Sequence, residues 1–216
     1  MDMYNYIVFD LDGTLIDTAE GTVKMFQEGL RYAGIIEDDK VVKSLIGPPF
    51  ARTLVTKYGL SEEKAKKAID VSNEYMFDKG VYECKLFDGM RETLEMLKAN
   101  NIKLSVATSQ PEDSALIEAK HVEILDYFDH FIANNLYQTR GSKSDFVGMC
   151  IDKMEVSDKS SAIMIGDKKP DIIGGKENGI ATMGVLYGYG DLSEIKESNP
   201  IHIVKTPIQI KDIILK

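Results

Sequence analysis

The sequence predicts an α/β protein built on a mostly parallel sheet, and three observations support this. Short apolar runs recur along the 216 residues and alternate with longer segments of helical period, an order that requires crossover connections between parallel strands. Most of the runs are continuously apolar, as is typical of strands that helices cover on both faces. One long helical stretch interrupts the alternation and indicates an inserted subdomain.

Five strands are predicted, and helices fill the intervals between them. The strands are Tyr6–Phe9, Lys103–Ala107, His130–Ala133, Ala162–Ile165 and Ala181–Leu186. The interval between the first two strands is far too long for a single crossover and carries only helical patterns. We therefore predict a Rossmann-like, three-layer α/β core over residues 1–16 and 84–216, with an all-α cap over residues 17–83 inserted after the first strand.

Several helix ends can also be placed. Ser61 is a good N-cap for a helix that runs to Gly80, because its hydroxyl can accept a backbone hydrogen bond. Gly34 is suited to end an earlier helix of the predicted cap, and Asn100–Asn101 is suited to close the helix before the second strand. Pro111 is predicted in the first turn of a further helix.

Composition and charge disfavour several classes of function. The chain has 26 Lys and Arg against 35 Asp and Glu, a net charge of −9, whereas nucleic-acid grooves and polybasic membrane anchors are basic. No apolar run approaches the roughly 18 residues that cross a bilayer, and the first residues do not resemble a signal peptide. Cys84 and Cys150 offer neither a disulfide framework nor zinc spacing. We expect a soluble, cytoplasmic protein, a monomer or small homo-oligomer, without nucleic-acid or membrane partners.

The segment Phe9-Asp10-Leu11-Asp12-Gly13-Thr14 carries the strongest chemical signal. Residues i and i+2 of a strand point to the same face, so Asp10 and Asp12 are predicted to project together. They follow the first strand, where open α/β sheets bind ligands, and Gly13 permits the tight loop that an anion site needs. Adjacent carboxylates repel each other unless a proton or a cation joins them. Helix capping is the alternative interpretation of these aspartates.

A second acidic cluster follows the fourth predicted strand, in Gly166-Asp167-Lys168-Lys169-Pro170-Asp171. If the first and fourth strands are neighbours, Asp167 and Asp171 share one crevice with the first pair of aspartates. Such a cluster favours a hard divalent cation, and Mg²⁺ fits best because it combines a few carboxylates with waters and a substrate phosphate. Taken alone, the second segment is also compatible with a plain loop.

Two further segments suit an anion. Thr108 and Ser109 follow the second strand, where a hydroxyl and the amides of the next helix form an anion site; simple helix capping is the alternative. Lys143 stands at the predicted start of a helix, which is an unfavourable place for a cation in the helix dipole. This makes Lys143 a candidate phosphate ligand, although a solvated surface lysine also fits the sequence.

In this order the four segments resemble the haloacid dehalogenase-like hydrolase superfamily, and the resemblance covers almost the whole chain. Asp10-Leu11-Asp12-Gly13-Thr14 is similar to the first family motif and Thr108-Ser109 to the second. Lys143 is similar to the third motif, and Gly166-Asp167 with Asp171 to the fourth. The predicted cap resembles the small helical cap of the phosphoglycolate-phosphatase-like branch.

Two other segments are similar to that branch: Ile46-Gly47-Pro48-Pro49 in the cap and Leu186-Tyr187-Gly188-Tyr189-Gly190 near the end. Two positions depart from the family pattern. Gln110 stands where many members have Lys or Asn, and Phe87-Asp88-Gly89-Met90 stands where relatives often have a Pro-Gly pair. Neither departure touches the chemistry that the resemblance implies.

That chemistry is phosphoryl transfer with Mg²⁺ as cofactor. Asp10 would attack phosphorus and form an aspartyl-phosphate, and Asp12 would protonate the leaving alcohol and later accept a proton from water. Mg²⁺ would be held by the Asp10 and Asp167 carboxylates and by the Asp12 main-chain carbonyl. Asp171 would support the metal site through a bound water or by orienting Lys143.

The resemblance also implies how a substrate is held. Thr108 or Ser109, together with Lys143, would bind the phosphoryl oxygens. A halide leaving group needs no proton, so the carboxylate of Asp12 argues against a dehalogenase. The expected partner is a small phosphorylated metabolite of the phosphoglycolate, nucleotide or sugar phosphate type. Arg52 in the cap is the candidate contact for a substrate carboxylate or second anion, and an exposed helix arginine is the alternative.

Two other functions stay open at this point. A phosphomutase of the same superfamily, similar to β-phosphoglucomutase, would use the same nucleophile and pass the phosphoryl group to a second hydroxyl instead of water. A non-catalytic phosphate-sensing module would share the fold. The presence of Asp12 argues against the sensor, because binding alone needs no acid-base group.

Overall fold

The chain divides into two compact units. The computed structural model describes residues 4–46, 50–135 and 139–216. The α/β unit comprises Met1–Asp17 and Lys85–Lys216, and the helical unit comprises Thr18–Cys84. Within the described ranges, every helix is too short or too polar to span a membrane.

The described part of the α/β unit contains eight strands. They are β1 Tyr6–Phe9, β2 Ile16–Asp17, β3 Lys85–Leu86, β4 Lys103–Pro111, β5 His130–Asn134, β6 Ala162–Gly166, β7 Ala181–Val185 and β8 His202–Val204. Six of them form one sheet in the order β5-β4-β1-β6-β7-β8, and every neighbouring pair is parallel. The predicted α/β class with a parallel sheet is therefore confirmed, and each of the five predicted strands is present.

Helices connect these strands and are the regular elements of the described part of the helical unit. They are α1 Ala19–Tyr32, α2 Asp39–Lys43, α3 Phe50–Thr56, α4 Glu62–Asp78, α5 Met90–Ala99, α6 Glu112–His121, α7 Lys143–Lys153, α8 Lys169–Glu177, α9 Leu192–Glu197 and α10 Pro207–Ile214. Three short 3₁₀ helices lie at Gly80–Tyr82, Leu125–Tyr127 and Lys159–Ser161. In the α/β unit α7 packs against α8, and α5 packs against α10.

The central strands are buried on both faces. Three consecutive residues of β1, Ile7, Val8 and Phe9, are all fully inaccessible to solvent. Because successive side chains of a strand point to opposite faces, this requires cover on each side of the sheet. One side of the core is formed by α7, whose Phe146 and Cys150 pack in a cluster with Val8. The thiol of buried Cys150 is free, as the sequence predicts.

The register of the sheet brings three strand ends to one edge. Phe9 at the end of β1 pairs with Val106 of β4 on one side and with Ile165 of β6 on the other. The residues that follow these three positions therefore lie side by side at the carboxyl edge. The first and fourth predicted strands are neighbours, which is the condition that the two acidic segments need in order to meet.

Short elements and one strand end differ from the expectation. β8 has three residues, and β2 and β3 have two each, too few for a periodic pattern to be visible. Pro111 is the last residue of β4 and the N-cap of α6, so it does not start the helical turn as predicted. The proline fixes an extended approach to the helix, and the pairing of β4 with β5 becomes irregular between Ala107 and Pro111.

The helical unit has its own apolar core. Val23, Phe26 and Leu30 of α1 pack in one cluster with Leu54 of α3 and Ala68 of α4. The long helix α4 begins as predicted, because the Ser61 hydroxyl accepts a hydrogen bond from Lys64 N at 3.3 Å. Of the family-like segment in this unit, residues 47–49 lie outside the described residues, so only Ile46 can be placed, at the margin of the cluster.

Candidate active site

The site is built around the carboxyl end of the central strand. The backbone N–H of Asp10 donates to Ile165 O of β6 at 2.9 Å, and the residue is 6% exposed. Thr14 Oγ1 donates to Asp10 Oδ2 at 3.5 Å. Asp12 follows two residues later and is half-buried, in a bend that is closed by a bridge to Ile16.

Gly13 makes the close approach of this bend possible. Its φ is +80°, and a Cβ at this position would lie 2.3 Å from Asp167 Oδ2 and 2.9 Å from Tyr189 Cδ2. The loop thus passes directly against the second acidic segment. A side chain would meet both a strained backbone conformation and occupied space.

Lys143 is the first residue of α7, and local interactions fix that helix start. Asp145 N donates to Ser142 Oγ at 3.3 Å, and Ser142 N donates to Asp145 Oδ2 at 2.7 Å. This reciprocal capping box satisfies two of the free N–H groups of the helix end. The side chain of Lys143 is 7% exposed, so it is not the solvated surface lysine of the alternative interpretation.

The ammonium of Lys143 joins three parts of the site. Nζ forms an ion pair with Asp10 Oδ1, lies 3.0 Å from Asp171 Oδ1 and donates to Ala107 O of β4 at 2.9 Å. Burial by itself lowers the pKa of Lys143, but the carboxylates of Asp10 and Asp171 outweigh it and raise the pKa. The group therefore stays charged, and all three of its donors are directed at site atoms.

Asp167 lies at the centre of the acidic cluster and is completely buried. Its Oδ2 accepts hydrogen bonds from Tyr189 N at 2.8 Å and from Gly190 N at 3.2 Å. Burial raises the pKa of Asp167 to about 7, and the negative charges of Asp10 and Asp171 act in the same direction. A perturbed carboxyl in a cluster at the edge of a sheet is a mark of a functional site.

Asp171 is held by α8 and by Lys143. Its Oδ2 accepts from Lys168 N at 3.0 Å at the start of the helix, while Oδ1 faces the Lys143 ammonium. Burial raises the pKa of Asp171 to about 6 even though Lys143 lowers it, and the charge of Asp10 adds to the increase. A Cβ on Gly166 would lie 2.2 Å from Asp171 Cβ, so the glycine before the acidic segment leaves room for this side chain.

These carboxylates fit a hard metal ion. Asp10, Asp167 and Asp171 each offer an oxygen within 4.8 Å of the others. Asp167 Oδ1 is buried and has no hydrogen-bond partner among the described residues. An unpartnered carboxylate oxygen in a cluster of buried carboxylates is suited to Mg²⁺, which prefers oxygen ligands. The Asp12 side chain is not part of this three-carboxylate cluster.

The two predicted hydroxyl ligands differ in burial. Thr108 is 1% exposed, and its Oγ1 accepts from Gln110 N at 3.1 Å, whereas Ser109 is exposed. Both follow Ala107, whose carbonyl holds Lys143, so they stand directly beside the site. Thr108 is thus the more firmly fixed of the two, and the binding of a phosphoryl group by either residue stays a prediction.

Loop 187–190 adds contacts that the sequence pattern does not assign to the site. Tyr187 Oη donates to Thr14 O at 2.9 Å. A Cβ on Gly188 would lie 2.1 Å from Gly13 O, and one on Gly190 would lie 1.6 Å from Asp167 O. The sequence signal that could have predicted these contacts is the pair of glycines that alternate with tyrosines, because glycine marks positions where another segment of backbone approaches closely.

Arg52 lies in the other unit. It is an exposed residue of α3 in the helical unit, and this agrees with the alternative interpretation of a surface arginine. Its role toward a substrate stays a prediction.

Comparison with known proteins gives a consistent result. The chain is 35% identical over 200 residues to a 5′-nucleotidase of Pseudomonas aeruginosa, covering 92% of this chain and 90% of that protein. It is 31% identical over 215 residues to a candidate pyrophosphatase, PpaX, of Clostridium perfringens, covering 99% of each. The crystal structure of a candidate phosphatase from Clostridium difficile matches with a TM-score of 0.95 and 42% identity, over 99% of this chain and 100% of that chain.

A parallel α/β sheet with buried aspartates and a lysine at its carboxyl edge, together with these relatives, defines an enzyme of the phosphatase class. The family model described as haloacid dehalogenase-like hydrolase matches residues 7–185. The chain belongs to the haloacid dehalogenase-like hydrolase family, and the resemblance inferred from its motifs is confirmed.

We expect Gly13→Ala to damage the site far more than its backbone conformation alone explains. Gly34 is a matched control, because its φ of +79° equals that of Gly13 but a Cβ there would meet nothing within 4 Å. Gly34→Ala should cost about 1–2 kcal/mol in free energy of unfolding and leave turnover unchanged. Gly13→Ala should cost more and reduce phosphate release by about 100-fold. Urea unfolding and a phosphate assay measure both, and equal losses in the two variants would contradict the close approach.

Proposed function

We propose that this phosphatase hydrolyses small phosphomonoesters with Mg²⁺ and through a phosphoryl group carried on Asp10. The observation that supports it is the buried constellation of Asp10 with Lys143, Asp167 and Asp171 at one sheet edge. A phosphate dianion is repelled by carboxylates, so a site of this kind becomes useful only with cations present.

Asp10 is the best placed nucleophile of the cluster. Its Oδ1 pairs with the Lys143 ammonium, and its Oδ2 has only a long contact to Thr14 at 3.5 Å. The oxygens of Asp171, in contrast, are engaged by Lys143 and by Lys168 N. In the first half-reaction an Asp10 oxygen would bond to phosphorus while the bond from phosphorus to the ester oxygen breaks.

Asp12 is assigned the proton transfers. It would give its proton to the departing alcohol and then take one from the water that attacks phosphorus, which releases phosphate and restores Asp10. The residue is half-buried, two positions from the nucleophile and outside the three-carboxylate cluster. A group that must exchange protons with substrate and water needs such partial access.

The metal would be held by the Asp10 and Asp167 carboxylates and the Asp12 main-chain carbonyl. When bound, Mg²⁺ supplies charge that offsets the repulsion between nucleophile and phosphate. Asp167 presents its unpartnered Oδ1 for this purpose while Tyr189 N and Gly190 N hold its Oδ2. Asp171 orients Lys143 through the 3.0 Å contact, which supports the second of its two predicted roles.

Thr108, Ser109 and Lys143 would bind the phosphoryl oxygens. Lys143 already directs its donors to Asp10, Asp171 and Ala107 O. An oxygen of a phosphoryl group on Asp10 would therefore accept the hydrogen bond that Lys143 now gives to the Asp10 carboxylate, or share it. The Lys143 charge then stays where negative charge is redistributed in the transition state.

The substrate is a small phosphorylated metabolite. Two relatives are named for nucleotide and pyrophosphate hydrolysis, and a nucleoside monophosphate is therefore the first substrate to test, with pyrophosphate, phosphoglycolate and hexose phosphates beside it. Arg52 of the helical unit is proposed to meet a second anionic group of the substrate. Product analysis with a hexose 1-phosphate separates hydrolysis from mutase activity, because free phosphate supports the former and an isomerised sugar phosphate the latter.

Asp10→Asn should abolish turnover while the protein stays folded. The change keeps the side-chain volume but removes the nucleophile, so release of phosphate from the best ester of a panel should fall by more than about 1,000-fold. The exposed Asp88→Asn is the control and should keep wild-type rates. Near-native turnover of Asp10→Asn would exclude the covalent route.

Asp12→Asn should slow the reaction in a manner that depends on the leaving group. Hydrolysis of an alkyl phosphate should fall by about 100-fold or more, because its alcohol needs a proton. Nitrophenyl phosphate should be affected less in the first half-reaction, which rapid-quench kinetics resolves from hydrolysis of the intermediate. Equal slowing for both esters would contradict the assignment of Asp12 as the acid.

Mg²⁺ should stabilise the wild-type protein through Asp167. At about 100 times the dissociation constant, the ion should raise the melting temperature by about 5–10 °C, and EDTA should reverse the shift. Asp167→Asn should lose most of this shift and Asp88→Asn should keep it. Thermal unfolding with and without the metal measures the effect, and an equal shift in all three proteins would show that the ion binds elsewhere.

A further inference from the structure

One acidic side chain beside the site has no part in the chemistry above. Glu118 of α6 is 1% exposed, and its Oε1 accepts a hydrogen bond from Gln110 Nε2 at 2.8 Å. The other oxygens of this pair, Gln110 Oε1 and Glu118 Oε2, are both buried and have no hydrogen-bond partner among the described residues. Buried acceptors without donors are costly, so two of them on one hydrogen-bonded pair require an explanation.

A single proton satisfies both oxygens. A neutral Glu118 carboxyl has an O–H that can donate from Oε2 to Gln110 Oε1, and the acid and amide then share two hydrogen bonds in one ring. An ionised Glu118 has only acceptors and leaves Gln110 Oε1 unpaired. Burial raises the pKa of Glu118 to about 9, and the negative charge of Asp12 acts in the same direction.

Among the described residues, the elements that pack against α6 give the Glu118 carboxyl no ion pair and no hydrogen bond besides that from Gln110. The helix packs against β4, β5 and the 3₁₀ helix Leu125–Tyr127. The titratable side chains on these three elements are Lys103, Asp126, Tyr127 and His130. Of these, Lys103 pairs with Asp129, and Tyr127 donates to Glu95. Gln110 is the hydrogen-bond partner that the described residues give to the Glu118 carboxyl.

Gln110 connects Glu118 to the proposed phosphate site. Its backbone N–H donates to Thr108 Oγ1 at 3.1 Å, and Thr108 follows Ala107, whose carbonyl accepts from Lys143 Nζ at 2.9 Å. Thr108, Ser109 and Gln110 lie at the end of β4, where the pairing with β5 is irregular, so a regular ladder does not fix this segment. The side-chain pair with Glu118 ties it to the body of α6 instead.

We propose that a neutral Glu118 and Gln110 form a buried acid-amide pair that positions the irregular end of β4, which carries Thr108 and Ser109. The inference rests on the proposed function, because it assigns the pair to the hydroxyls that are to hold the phosphoryl group. Glu118 and Gln110 are positioning residues and touch no reacting atom.

The protonation state of Glu118 is tested by the pH dependence of stability. Between its ordinary pKa of 4.5 and about 9, the group is neutral in the folded protein and ionised in the unfolded chain. The folded state then binds one proton more, so rising pH favours unfolding. Glu118→Gln removes this proton, and the unfolding equilibrium constant of the wild type should rise about tenfold per pH unit relative to that variant.

The control for this comparison is Asp113→Asn, an exposed position of the same helix, whose stability should follow the wild-type curve. The neutral carboxyl would be overturned if the free energies of unfolding of wild type and Glu118→Gln changed in parallel over the roughly four units from pH 5 to 9. The measurement uses urea unfolding and needs no substrate, so it decides this point even if the protein hydrolyses none of the phosphomonoesters tested. That last result would count against the proposed function alone.

The positioning role is tested by kinetics at neutral pH. Glu118→Gln preserves a ring of two hydrogen bonds and should keep kcat/KM within about threefold, whereas Glu118→Leu leaves the Gln110 amide unpaired and should lower it about tenfold or more. The double variant Gln110→Glu with Glu118→Gln places acid and amide in reversed order, and its kcat/KM should be well above that of Glu118→Leu. Equal losses in the Gln and Leu variants would overturn the role of the ring.

If Glu118→Leu does not fold, Glu118→Met, which fills a similar volume, takes its place. It also leaves the Gln110 amide unpaired, and its kcat/KM should be about tenfold or more below that of Glu118→Gln. Equal rates for the Met and Gln variants would overturn the proposal.

Discussion

The candidate site is built around three carboxylates buried at one edge of a sheet. Asp10, Asp167 and Asp171 are each at most 6% exposed, and like charges so placed repel strongly at low effective dielectric. Lys143 compensates by binding Asp10 and Asp171 directly. Burial raises the pKa values of Asp167 and Asp171 above their ordinary range, although Lys143 lowers that of Asp171. The Mg²⁺ proposed above would add positive charge to this cluster and offset the repulsion between the carboxylates and a substrate phosphate.

The scaffold around the cluster is shaped by the same constraint. Each carboxylate is held by donors from a different element. Asp10 accepts from the Thr14 hydroxyl and pairs with Lys143 of α7, Asp171 accepts from the start of α8, and Asp167 accepts from the amides of loop 187–190. Backbone donors of this kind stabilise negative charge without adding bulk. The crowding explains the glycines of the site, at which a Cβ would overlap neighbouring atoms: Gly13, Gly166, Gly188 and Gly190. The close approach of glycine backbone to the aspartates therefore serves both the packing and the electrostatics of the site.

Periodicity and position were sufficient to predict the sheet and the meeting of the two acidic segments. The apolar runs are long enough to be recognised, and parallel strands present their carboxyl ends at one edge, so Asp10 and Asp167 could be placed together before any distance was known. Backbone contacts were not predictable in this way, because Tyr189 N and Gly190 N act through groups that every residue has. Glu118 was missed for another reason: a glutamate in a helix is usually exposed, and its partner Gln110 is not within one helical turn of it. The short strands escaped because two or three residues define no period.

The chain thus buries carboxyl groups in two chemically different ways. In the three-carboxylate cluster, Lys143 pairs with Asp10 and Asp171. At Glu118 the charge is removed by a proton that an amide helps to hold. The electrostatics of the site explain this difference. An ionised Glu118 would add to the repulsion of an incoming phosphate. It would also repel the charge of Asp12, which already raises the pKa of Glu118. The proposed neutral acid-amide pair would therefore position the end of β4 at Thr108 without adding a negative charge to the field of Asp12.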